Sequence, residues 1–176
     1  MTTWRRQAPN HWRADSGFTV VEVLVSLVVL SVGLLGIAKL ILFTARSNDS
    51  AYLRSQATEL GYQILDEMRA NRQTAFSHGY DTSMAAVPNA SGSCIGIACS
   101  PTELALYDVY TWKRRLAVST GGALPLGQGS ITTTTTAPAT TTAVVTVQWD
   151  DEAAQSGFGA PVGVPATVQV TLETLL

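Results

Sequence analysis

The stretch GFTVVEVLVSLVVLSVGLLGIAKLILF, Gly17 to Phe43, carries one acid near its start, Glu22, and one base near its end, Lys39. About 20 apolar residues in a helix cross a bilayer core, so this segment is long enough to span. Lys39 lies close enough to the far end to run its stem along apolar surface and place its ammonium among headgroups. Working outward, Arg5, Arg6 and Arg13 precede the span, and few cations follow closely. That asymmetry places residues 1–17 in the cytoplasm and the rest of the chain outside it.

Glu22 is the residue that a simple anchor leaves unexplained. An acid within an apolar membrane helix costs roughly 2.5–3.5 kcal/mol even on the lenient insertion scale, so it needs a partner. A cleaved secretory signal fits poorly, because it calls for a shorter apolar core followed by a small-x-small cleavage site. A plain bitopic anchor accounts for the hydrophobicity but only lets Glu22 reach for headgroups.

The string Gly17-Phe18-Thr19-Val20-Val21-Glu22, with arginines before it and an apolar helix after it, resembles the processing site of type IV prepilins and type II secretion pseudopilins. The close resemblance covers roughly residues 10–72. It implies that a membrane-embedded prepilin peptidase cuts after Gly17 and that Phe18 becomes the N-methylated mature N-terminus. Glu22 is then the fifth mature residue, the acid of an assembly salt bridge. The chemistry agrees, since cleavage creates an amine on Phe18 one helical turn from Glu22, on the same face. The amine of a neighbouring subunit would serve equally, and such pairing favours assembly because an unpaired charge in lipid is penalised.

Beyond Thr44 the chain turns polar but stays helical in period, with Leu53, Ala57, Leu60, Ile64, Leu65 and Met68 at three- and four-residue steps. No proline interrupts Phe18 to Arg72, so one helix of roughly 80 Å is expected at 1.5 Å per residue. Gly33 and Gly36 are its weak points. The Leu53–Met68 stripe reads as core.

Residues 73–101 read as a loop-rich connection holding Cys94 and Cys99. Two thiols without nearby histidine make a poor zinc site, since His11 and His78 lie far off in sequence. A small disulfide loop is the better reading for a body outside the cytoplasm, with two unlinked thiols as the alternative. Ser100-Pro101-Thr102-Glu103 then combines a capping box with proline at the first helical position. A second helix should run to about Ser119, burying Ala105, Val109, Trp112 and Leu116 and stopping at Gly121-Gly122. Arg114 and Arg115 fall in its last turns, where the helix dipole favours cations. Tyr107, Tyr110 and Trp112 read as core, with an aromatic recognition patch as the alternative.

From Gly129 the period becomes two. Ile131–Thr136 and Thr141–Trp149 read as strands joined by a turn at 137–139. Val145, Val147 and Trp149 share one face, opposite Thr146, Gln148 and Asp150. A glycine- and proline-rich loop around 157–165 leads to a last strand with Val168, Val170 and Leu172 on one face, opposite Gln169, Thr171 and Glu173. The threonine runs could also suit a glycosylated stalk, but threonine is a good strand former and the alternation favours a sheet. The fold class is α+β and pilin-like. A long N-terminal helix, with a transmembrane half and a soluble half, packs on an antiparallel sheet of three or four strands, beside a second short helix. The divisions are 1–17 leader, 18–43 transmembrane half, 44–72 soluble half and 73–176 globular body.

The net charge is -2 and only 14% of residues are charged, with no basic stripe, which argues against nucleic acid as a partner. No Gly-x-Ser-x-Gly, His-Glu-x-x-His or phosphate-binding glycine loop is present, so no enzyme, cofactor or metal is expected. The resemblance implies as partners the prepilin peptidase, other minor pilins and the major pilin through N-terminal helix packing, and an inner-membrane assembly platform. Lys39 stands where major pilins commonly have proline, and both cysteines lie mid-chain, which suits a minor subunit. The second helix and the Val144–Trp149 strand most resemble the PilV type, which primes pilus assembly at the tip. A GspI-like minor pseudopilin of type II secretion, a tip adhesin and an inert bitopic protein are the alternatives.

Overall fold

The structure, a computed structural model, describes residues 17–89, 94–96, 98–136, 140–151 and 167–176. The leader up to Ser16, the turn at 137–139 and the loop around 157–165 lie outside the described residues. Two compact units divide the chain, 1–42 and 43–176.

Helix α1 runs from Val20 to Ala70 without interruption. Its apolar part has a mean hydropathy of 2.6 in the best window, none of it buried within the chain. A helix that covers no core and is apolar all round has the character of a membrane span rather than a core helix. Gly33 and Gly36 do not break it, and a methyl at either position would meet nothing within 4 Å.

In the second unit, α1 buries the stripe expected of it, namely Ala57, Leu60, Ile64, Leu65 and Met68, with Leu53 partly covered. Gly61 joins that stripe. A Cβ there would sit 2.5 Å from Leu172 Cδ1, so the glycine packs directly under the Leu172 side chain of the sheet. A short helix α2, Arg72–Phe76, continues beyond the break at Asn71. The expected connection is therefore helical for its first residues. Its next part is tied to the sheet: Thr82 and Ile131 form a bridge, and Asp81 Oδ1 accepts from Thr133 N (2.9 Å) and Thr133 Oγ1 (2.7 Å).

Helix α3 spans Pro101–Leu116. Both halves of the capping box are present: Glu103 N donates to Ser100 Oγ at 3.3 Å, and Ser100 N donates to Glu103 Oε2 at 2.8 Å. The bonds from Ser100 N and from Ser100 Oγ (2.7 Å) to Glu103 Oε2 hold the exposed carboxyl below its usual range. Ala105, Val109, Trp112 and Leu116 are buried as the spacing requires. Trp112 Nε1 donates to Leu60 O at 2.9 Å, linking α3 to α1. The α-helix ends at Leu116, and a single 3-10 turn, Val118–Thr120, carries the chain to the glycine pair. Gly121 adopts φ +84 and the chain reverses there, so that Ala123 N and Leu124 N return to Arg115 O and Leu116 O at 2.9 and 2.8 Å.

Three antiparallel strands, β1 (Gln128–Thr136), β2 (Thr140–Asp150) and β3 (Thr167–Leu175), lie in the order β1-β2-β3. In register, Val145 faces Ile131 and Leu172, and Val147 faces Gly129 and Val170. The inner residues of β2 are buried and alternate with partly covered ones, as period two demands. This is the α+β arrangement of a long helix and a shorter one against a small sheet.

Lys113, on α3, is only 5% exposed. Its ammonium donates to the carbonyls of Ser83 (2.6 Å), Met84 (3.0 Å) and Gly129. One side chain thereby joins α3, β1 and the connection. Burial pulls its pKa down to about 8, while the three carbonyls favour the charged form.

Candidate processing and assembly site

The first unit offers a site built from local rules. Gly17 and Phe18 precede the helix, and Phe18 is 83% exposed. Thr19 caps α1: its Oγ1 accepts from Glu22 N at 3.2 Å, and its carbonyl accepts from Val23 N at 3.3 Å. Threonine followed three residues on by glutamate is a capping signature, and here it starts the helix where a cut after Gly17 would leave only two residues before it. Sequence reasoning passed over this role of Thr19, although the spacing was available.

Glu22 sits in the first turn, where the helix dipole favours an acid. Phe18, Glu22, Val23, Ser26, Leu27 and Leu30 line one groove along the first turns. Phe18 and the acid four residues later thus share a face. Ser26 is occupied locally, donating to Glu22 O at 2.7 Å. Of the residues lining the groove, Glu22 is the one acid and Ser26 the one hydroxyl, and the lining is otherwise apolar.

The cysteine pair belongs to the second unit. Cys94 and Cys99 are joined by a disulfide, with Cα atoms 5.7 Å apart. Gly96 in that loop adopts φ +73, which suits a residue without Cβ. The aromatic trio on α3 does not form one surface: Trp112 is core, while Tyr107 and Tyr110 are half-buried. Arg114 lies over the Tyr110 ring at 5.7 Å and donates to its hydroxyl at 3.1 Å. Among the described residues, no group of three or more His, Cys, Asp or Glu is placed to hold a metal ion.

Residues 12–38 match a family model described as the prokaryotic N-terminal methylation motif. The chain matches no curated protein and no solved structure. The motif is a type IV pilin-like prepilin signal, and with the apolar helix it fits a membrane-anchored protein of pilin or pseudopilin type. It implies processing by a prepilin peptidase and pilin assembly, with a membrane-embedded helix.

Proposed function

We propose that the chain is a minor type IV pilin of the PilV type, cut after Gly17 and methylated on Phe18, that helps prime pilus assembly in a tip complex with other minor pilins. The observation that carries this is the groove shared by Phe18 and Glu22 on an otherwise uncovered apolar helix. Cleavage supplies a cationic amine where the helix holds an acid. In lipid that acid is tolerated far better when paired, by its own amine or by that of a neighbour.

In this reading the precursor crosses the inner membrane once, with the leader in the cytoplasm and the body in the periplasm. It then passes from the assembly platform into the pilus, where it supports piliation, twitching and adhesion. The protein works by docking, without catalysis. Deleting it should remove surface pili and twitching while sparing protein secretion. The reverse outcome would assign it instead to a type II secretion pseudopilus, and loss of adhesion with pili intact would make it a tip adhesin. Glu22→Ala subunits should be excluded from filaments, and incorporation at the wild-type level would remove any assembly role for the pairing.

A further inference from the structure

The seam between α1 and α3 contains two carboxyl groups that helix packing alone does not call for. Glu67 enters it from α1 and Asp108 from α3, with Tyr80 of the connection buried beside them. Tyr80 Oη donates to Asp108 Oδ2 at 2.8 Å and lies 3.4 Å from Glu67 O. Gln63 Nε2 reaches Glu67 Oε1 at a long 3.4 Å. Glu67 Oε2 is buried and has no hydrogen-bond partner among the described residues. An ionised carboxylate is acceptor-only, and keeping one of its oxygens dry and undonated is costly. A second carboxyl close by adds repulsion. A proton on Glu67 removes the repulsion and sharply lowers the other cost, because an unpaired neutral carboxyl is far cheaper to bury than an unpaired charge.

We infer that the folded body holds Glu67 as a neutral acid near neutral pH, and that its ionisation loosens the α1–α3 seam, making this joint stronger in acid. The groups facing it are Asp108 and Arg115 from α3, Tyr80 from the connection and Gln63 from its own helix. Burial first, then Asp108, pushes the Glu67 carboxyl up to about 7, against smaller opposing effects of Arg115 and Gln63. Burial also raises Asp108, opposed by the Tyr80 bond. Burial and the Asp108 bond hold the Tyr80 phenol above its usual range, so it remains a donor.

The direction of the pH dependence follows. Between the ordinary value of 4.5 and about 7, the folded chain keeps a proton that the unfolded chain has lost. Stability therefore rises as pH falls through that window, levels off below it, and loses this contribution above about 7. The inference concerns the body alone and stands whether or not the chain joins a pilus.

The test uses the full chain in detergent. Infrared spectra at about pH 6 should show a protonated-carboxyl stretch that disappears by about pH 9 and is missing in Glu67→Gln. The wild-type melting temperature should fall between about pH 5 and pH 8, and Glu67→Gln should lose most of that slope. Should Glu67→Gln fail to fold, carbon-13 titration of Glu67 in the wild type and in Asp108→Asn replaces it. The midpoint should lie near 7 in the wild type and lower in the variant, where the repulsion is gone. A wild-type midpoint near 4.5, or an unchanged melting slope in Glu67→Gln, would overturn the inference.

Discussion

Replacing Lys113 with methionine sets two effects of similar size against each other. The ammonium is nearly buried, and burial lowers its pKa from 10.5 to about 8. At 1.36 kcal/mol per pH unit, removing that charge relieves at most about 3 kcal/mol at neutral pH. Methionine keeps much of the stem's apolar contact. Against this, the carbonyls of Ser83, Met84 and Gly129 lose their shared donor. Hydrogen bonds to a charged group contribute about 1.5–3 kcal/mol each, and a buried acceptor left unmade costs about 1–3 kcal/mol. Three such losses outweigh the relief even if the connection at 83–84 recovers some hydration by moving outward. The net expectation is destabilisation by about 2 kcal/mol. Urea unfolding of the full chain in detergent, followed by tryptophan fluorescence, reads this directly. With a slope near 2 kcal/mol per molar, the midpoint should fall by about 1 M. A midpoint equal to or above wild type would refute this, showing that the carbonyl cage does no more than offset the cost of burying the charge.

Gly129→Ala should destabilise the body by about 1–3 kcal/mol through overpacking. The new methyl would collide with Trp112 Cη2 and sit 2.8 Å from Leu116 Cδ1. Its melt should drop by several degrees, whereas Gly36→Ala, which meets nothing, should leave that melt unchanged. Ser100→Ala removes the cap of α3 and should cost about 1 kcal/mol, with faster amide exchange confined to the first turn of that helix.

What the chain disclosed in one dimension was what depends on local rules. The buried faces of α1 and α3 followed from spacing, and the alternation in β2 and β3 placed the sheet's inner face. The capping box at Ser100 was legible because all its parts lie within four residues. The glycine pair marked the far end of α3 correctly: Gly121 takes a positive φ and Gly122 packs against the backbone of Arg115, so Ala123 and Leu124 can fold back on Arg115 and Leu116. What the sequence did not show is that the last turn before the pair, Val118–Thr120, is 3-10 rather than α. Lys113 and Glu67 gave no signal at all. Their surroundings come from segments distant in sequence, Ser83 and Gly129 for the one and Asp108 and Tyr80 for the other. Burial of a charged residue is set by what packs over it, and nothing in its own neighbourhood announces that.

The processing site shows both sides. Glu22 stood out because an acid in an apolar helix needs explanation, yet the bond from its backbone to Thr19 shows a second local role as the third residue of a capped helix. The cap explains why the helix begins where it does. The cap uses the Glu22 backbone and leaves its side chain for the proposed pairing with the Phe18 amine.

Mass spectrometry of the N-terminus of the mature protein, purified from cells with an active prepilin peptidase, tests the proposed processing most directly. The account predicts a chain beginning at Phe18 and carrying one added methyl group. An intact leader, or a cut anywhere other than after Gly17, would contradict it.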